Sequence, residues 1–319
     1  MIAIREAYGK ALLSLGGRND KVVALEADVG MSTRSVLFGQ AYPDRYFNVG
    51  IAENNMVAIA AGFARSGFIP FVNTFAAFMI GRGGDPIQSL IAYDRLNVKL
   101  AGTYCGMSDS YDGASHHAIA DLAYVRALPN MTIVVPSDPE QTRQAVYAIA
   151  EHQGPVYLRL SRAPAPRIYP DNYRFELGKG YVHRQGTDVT IIACGQQVHE
   201  ALKAASILSS HGISAQVIDI ATIKPLDEDL ILACAKKTGH VVTAEEHSVH
   251  GGLGSAVSEL LSSRCPTKMA FVGMKSFAES GSYNQLLAKY GVDASSIETA
   301  CRRVLKRQDP LSMCEKGII

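Results

Sequence analysis

Twice along this chain, short apolar runs alternate with stretches of helical apolar spacing, and that double alternation constrains the fold more than any other feature. In the first half the runs are "KVVALEAD", "RYFNVG", "IPFVNTF", "NVKLAGTY", "MTIVVP" and "PVYLRLS". Helical patterns flank or separate them at "IREAYGKALLSL", Glu53 to Ser66, Pro86 to Tyr93, Ala118 to Arg126 and "SDPEQTRQAVYAIA". Ser137 and Glu140 fit a capping box for the last of these. Apolar runs separated by helices predict a parallel sheet covered on both faces. From 162 to 183, "RAPAPRIYPDNYRFELGKGYVH" concentrates proline and polar residues and breaks the pattern. It restarts with "DVTIIACG", a helix over 196–211, "SAQVIDIAT", a helix over 227–237, "HVVTAEEH", a helix over 253–263, "KMAFVGM" and a polar, helical C-terminus. The expectation is an α/β protein of two three-layer domains, at 1–165 and 184–319, joined by a linker at 166–183.

The chain has 319 residues, enough for two cores, and a formal net charge of +1. Its basic residues are scattered, so no long-range field favours nucleic acid or an anionic membrane, and a small ligand is expected. Cys105, Cys194, Cys234, Cys265, Cys301 and Cys314 form no CxxC pair and read as reduced thiols. The long apolar stretch from Met56 to Met79 is interrupted by Arg65 and Pro70, and "MIAIREAYGKAL" meets charge too soon for a signal peptide. A soluble, cytoplasmic protein is expected.

Parallel sheets bind ligands beyond the carboxyl ends of their strands, so residues following the apolar runs are the candidates. Asp28 and Ser32, after "VVALEA", read as caps of a turn or helix, or as ligand contacts. Glu53 follows "YFNVG" and opens a helix, where the helix dipole favours a carboxylate. In apolar surroundings the same acid would stay protonated and donate a hydrogen bond. Phe75 and Phe78 have helical i, i+3 spacing, which suits a core or a ligand wall. The loop "YDGASHH" exposes Asp112 and His116 together, a pairing with limited structural purpose. Arg162 follows "PVYLRLS", where it holds an anion or forms a surface ion pair. His247 and His250 have no obvious third metal ligand, and "GGLG" matches neither phosphate-loop motif, so a tight turn explains its glycines.

Taken in order, "LEADVGMS", "VGIAENNMVAIAAGFA", "PFVNTFAAF", "YDGASHHAIADLAYVRALPNMTIVVPSD", "PVYLRLSR" and "AEEHSVHGGLGSAV" resemble the C-terminal half of transketolase, its pyrimidine-binding domain followed by its C-terminal domain. The resemblance implies thiamine diphosphate as cofactor and transfer of a two-carbon ketol unit from a ketose (phosphate) to an aldose (phosphate). Glu53 then hydrogen-bonds N1′ of the aminopyrimidine, Phe75 and Phe78 pack against that ring, and Asp28 and Val29 also adjoin the cofactor, Val29 as the wedge that bends it. His116 stands near the donor hydroxyls, Asp112 contacts a sugar hydroxyl, and Arg5, Ser32 and Arg162 hold the distal phosphate. No GDG motif occurs, so the resemblance is to the small subunit of a split transketolase. The missing motif implies a partner, an N-terminal subunit carrying Mg2+ and the diphosphate, in a heterotetramer.

Tyr104 stands where the family usually has a histidine, Gly81, Gly83 and Gly84 fall where a third aromatic is expected, and Tyr111 replaces an acid. These departures point to a non-standard sugar phosphate or another anionic sugar. Two other readings share the layout: the β subunit of a 2-oxo-acid dehydrogenase, and a non-catalytic assembly subunit. "DGASHH" and "LSRAP" favour transketolase over the first, and Glu53, Asp112 and His116 together favour catalysis over the second.

Overall fold

The computed structural model describes residues 1–306; residues 307–319, with Cys314 and the end of the second expected domain, lie outside the described residues. The six apolar runs of the first half become strands β2 (Val22–Glu26), β3 (Tyr46–Asn48), β4 (Ile69–Phe75), β5 (Lys99–Thr103), β6 (Thr132–Val134) and β7 (Val156–Leu160), and two short strands that the pattern did not indicate, β1 (Ile2–Ala3) and β8 (Pro164–Ala165), join them. The four of the second half become β10 (Val189–Ala193), β11 (Ala215–Asp219), β13 (His240–Ser248) and β14 (Lys268–Met274), with two further strands that the pattern did not indicate, β9 (Tyr181–Arg184) and β12 (Thr222–Lys224). Every residue of β2, β4, β5, β7, β10 and β11 is buried, as expected for parallel strands with helices on both faces. The architecture is α/β in two units, as the alternation implies.

One sheet runs β12-β6-β7-β5-β4-β2-β3 and the other β14-β13-β10-β11-β9, while β1 pairs with β8. Both are parallel except at an edge. In the first sheet the antiparallel edge is β12, which comes from the second half of the chain and pairs Thr222 with Val134 and Lys224 with Ile133. In the second it is β9, which begins at Tyr181, inside the stretch read as linker.

Local details depart from expectation in two places. The helix expected at Pro86–Tyr93 begins at Ala76, runs to Pro86 and continues as a π-helical turn at Ile87–Ala92. Gly83 permits close packing there: a Cβ on it would lie 3.1 Å from Val57 Cγ2, on the helix Glu53–Arg65. The helix Pro139–Glu151 is capped one residue later than the Ser137/Glu140 pattern suggests. Asp138 Oδ1 accepts from Gln141 N at 2.7 Å, and Gln141 Oε1 reaches back to Ser137 N at 2.7 Å. Cys105, Cys194, Cys234, Cys265 and Cys301 are free thiols. Among the described residues no helix is long and apolar enough to cross a membrane.

The proline-rich crossing segment buries Tyr169 and Tyr173, stacked at 3.9 Å, against Tyr181 and His183. Tyr169 and Ser137 both donate to Asp219 Oδ2. Burial pushes the Asp219 carboxyl up to about 7. Its native pKa lies above the unfolded value, so its contribution is full below the unfolded pKa and declines as pH rises towards 7. Asp219→Asn, which cannot ionise, should raise the thermal midpoint by a few degrees at pH 8 and by less at pH 5, read by paired melts of variant and parent.

Candidate active site

Strands β4, β5 and β7 end level with one another, and β2 ends two residues short of β4. Register pairs Glu26 of β2 with Asn73 of β4, Phe75 of β4 with Thr103 of β5, and Thr103 with Leu160 of β7. The residues that follow these ends, Asp28 and Val29, Phe78, Tyr104 and Arg162, are thereby set along one rim. Beyond β3, Asn48 Oδ1 accepts from Gly50 N at 2.8 Å, and this turn delivers Glu53 to the start of its helix.

Glu53 is 3% exposed. It does not stand alone: Arg82 Nη1 donates to Glu53 Oε1 at 2.9 Å, while the Arg82 guanidinium carbon lies 4.1 Å from the centroid of the Phe78 ring. The surroundings of Glu53 are therefore not purely apolar, because a guanidinium lies against its carboxyl group. The physical reason is a residue the sequence reading passed over. In "MIGRGG" the glycines drew attention to the lost aromatic, but Arg82 among them supplies the counter-ion. Its pairing with an aromatic i−4 on the same helix was the available signal.

Phe75 and Phe78 lie 5.5 Å apart, and Phe75 stacks on Tyr104 at 4.3 Å. His116 meets the Phe78 ring at 5.0 Å, nearly edge-on, with Nδ1 3.0 Å from Ser115 Oγ. Arg5 and Arg162 each place a guanidinium 5.2 Å from the centre of Tyr104. Arg5 Nη1 donates to the Tyr104 hydroxyl and, at 2.9 Å, to the backbone oxygen of Ser32. Arg162 Nη1 donates to Asp109 Oδ1 at 3.1 Å. Asp109 was also missed; it precedes the more obvious DG pair in "SDSYDG". Atoms of Asp109, Asp112 and His116 that can bind a ligand lie within 4.8 Å of one another. Burial and the adjacent Asp112 carboxyl push Asp109 up to about 7, against the pull of Arg162.

Asp28 stands apart from this group: it is exposed, with Oδ1 accepting from Asn48 Nδ2 at 3.1 Å. Val29 is half-buried, its N–H donating to Glu26 Oε2 at 2.6 Å. Asp28, Tyr104 and Ser110 all adopt left-handed backbone conformations without being glycine, with φ of 61°, 60° and 48°. Strain of this kind gathers at functional sites. The "GGLG" turn is not an anion cradle, because Glu245 fills it: its carboxylate accepts from Leu253 N at 2.7 Å and from Gly254 N at 2.8 Å.

An acid at a helix start, two aromatics and a histidine-bearing loop thus meet at the ends of a parallel sheet, with a second α/β unit beside them. The family model described as transketolase, pyrimidine binding domain, matches residues 1–167, and that described as transketolase, C-terminal domain, matches residues 178–297. The chain is 42% identical over 307 residues to the 6-deoxy-6-sulfo-D-fructose transketolase subunit SqwH of a Clostridium species, covering 96% of this chain and 95% of that one. It is 39% identical to human transketolase over 96% of its own length but only 49% of the human protein. A solved structure titled "Split gene transketolase, inactive beta4 tetramer" superposes with a TM-score of 0.90 at 48% identity, covering 96% of this chain and 99% of that one. The chain belongs to the transketolase family. It fits the small subunit of a two-subunit transketolase, and the family implies thiamine diphosphate with its pyrimidine half against the first unit.

Arg82→Met should remove the donor to Glu53 and lower stability by about 1 kcal/mol, since the pair is half-exposed on the arginine side. Urea unfolding reads this, and an unchanged midpoint would mean that the pair contributes nothing to folding.

Proposed function

We propose that this chain transfers a two-carbon ketol unit from a ketose to an aldose only in complex with an N-terminal subunit that holds Mg2+ and the diphosphate of the cofactor. The observation that carries this reading is the buried Glu53 at the mouth of the sheet, linked through Arg82 to the Phe75 and Phe78 rings. A flat aminopyrimidine requires an aromatic wall and an acid at its ring nitrogen, and these residues fit that need. When bound, thiamine diphosphate supplies an acidic carbon and an electron sink.

Within that reading, Arg82 moves aside and Glu53 holds a proton at the ring nitrogen, where its burial keeps water from competing. Phe75 and Phe78 fix the ring plane, and Asp28 and Val29 border the cofactor on the side of β2. His116 and Asp112 orient sugar hydroxyls, with Arg5, Ser32 and Arg162 at the distal end of the sugar. The two domains divide in the segment 166–183. A cytoplasmic heterotetramer of two small and two large subunits is the simplest closed arrangement. The inactivity of the solved relative as a tetramer of its own chain supports the need for the second subunit.

The test uses the chain reconstituted with its N-terminal subunit, thiamine diphosphate and Mg2+. Glu53→Gln should lower kcat for two-carbon transfer about a thousandfold while leaving the thermal midpoint near that of the parent. Turnover close to the parent's would remove Glu53 from the mechanism.

A further inference from the structure

Asp112 and His116, which the proposed reading sets against the sugar, stand on the loop 104–117 between β5 and the helix Asp121–Ala127, and this loop is docked on the second unit. Met107 is its apolar anchor: the side chain is fully buried in the second unit's core cluster, which also holds Val189, Ile191, Val242 and Met274. Burial of an apolar side chain is non-directional, so it attracts the loop without fixing its orientation. Hydrogen bonds are directional, and the second unit makes two with this loop. Met107 N donates to Glu246 Oε1 at 2.6 Å, and Gly281 N donates to Ser110 O at 3.2 Å.

Glu246 is itself held in place. Its Oε2 accepts from the hydroxyl of Tyr283, on the helix Tyr283–Lys289, at 2.5 Å, and its backbone oxygen accepts from Arg159 Nη2 at 3.0 Å. The residue is buried, so any effect it has on the reaction passes through the loop. The path from Met107 to the sugar contacts is short and made of turns. Ser110 N donates to Met107 O at 2.8 Å, Ser110–Asp112 form a single 3-10 turn, and His116 N donates to Gly113 O at 3.0 Å. Gly113 fits closely against the second unit, since a Cβ there would lie 2.5 Å from Ser280 Oγ. A loop that slips at Met107 therefore carries Asp112 and His116 with it. The cofactor residues are placed by other means: Glu53 opens its own helix in the first unit, Phe75 ends β4, and Phe78 shares the next helix with Arg82.

We propose that Glu246 is a positioning residue for two-carbon transfer: from the second unit it holds Met107, and through Met107 it sets Asp112 and His116 against the sugar. This deepens the transketolase reading and rests on it for the identity of the ligand as a sugar. That Glu246 holds the loop stands on the hydrogen bonds alone.

Two measurements separate those claims. In the first, amide hydrogen exchange of the full chain is followed by mass spectrometry in the parent, Glu246→Ala and Glu246→Gln. Glutamine keeps the shape, with an oxygen to accept from Met107 N and an NH2 to donate to the Tyr283 oxygen. Exchange over 104–117 should be at least about tenfold faster in Glu246→Ala, with β2 and β4 unchanged, and Glu246→Gln should return it to within about threefold of the parent. Equal rates over 104–117 in all three, or an equal rise in β2 and β4, overturns the role of Glu246. In the second, the chain reconstituted with its N-terminal subunit is assayed on a panel of ketoses and ketose phosphates that includes D-fructose 6-phosphate. Glu246→Ala should raise KM for the donor at least about tenfold, leave the apparent Kd of thiamine diphosphate within about threefold, and be rescued by Glu246→Gln. An unchanged KM, or an equal loss of cofactor affinity, overturns the positioning role. Where thermal melts show that Glu246→Ala does not fold, Tyr283→Phe replaces it in both measurements, with an expected change of at least about threefold in the same direction. Absence of transfer by the parent from every donor defeats the transferase reading and the sugar half of the proposal, while the exchange rates still decide whether Glu246 holds the loop.

Discussion

The buried pair between Arg159 and Asp121 is the interaction on which the site's geometry depends. Arg159 Nε donates to Asp121 Oδ2 at 2.6 Å with both side chains almost wholly removed from water. Tyr157 donates to the same carboxylate oxygen at 2.7 Å, and Arg159 Nη2 also reaches Ala118 O at 2.9 Å and Glu246 O at 3.0 Å. A buried pair of this kind adds little net stability over an apolar replacement, because desolvation offsets its Coulomb gain. What it supplies is position. It ties β7 in the first unit, the end of the loop after β5, and β13 in the second unit to one point.

That loop carries Asp109, Asp112 and His116, and the second unit holds its other end as well. Met107 N donates to Glu246 Oε1 at 2.6 Å, and Tyr283 donates to Glu246 Oε2 at 2.5 Å. Gly106 takes a left-handed φ of 60°, and a Cβ there would lie 2.4 Å from Glu246 Oε1, so only glycine lets the loop approach its anchor. The non-glycine residues Tyr104 and Ser110 are strained in the same stretch. Contacts with a packed neighbour are what can hold such conformations against their cost. The second unit, though remote from Glu53, therefore shapes the part of the site that meets the sugar.

Two ionic arrangements give the site its character, and they differ in permanence. The Glu53 carboxylate is buried and Arg82 half-exposed, so the arginine can depart when a ring takes its place. Asp109 is likewise the buried member of its pair with Arg162. In each case a fixed acid sits in the protein and a flexible cation covers it. The long arginine side chains carry the entropy and the solvent contact, and the carboxylates carry the geometry.

Much of this was legible in the sequence. The alternation of apolar runs and helical spacing located the long buried strands but not the short β1, β8, β9 and β12, because burial on both faces leaves a local signature that short or edge strands lack. Ordered motifs around Glu53, Phe75, Phe78, Asp112 and His116 pointed to the family. Less legible was anything that depends on residues distant in the chain. Strand β12 crosses to the first sheet, Arg82 covers Glu53 29 residues away, and Arg162 pairs with Asp109 53 residues away. The sequence by itself thus determined the elements, the strand ends and the candidate chemistry, since periodicity and turn residues act over a few positions. Only the tertiary structure decided which charges meet, because an ion pair depends on distance in space and on the water that packing has removed.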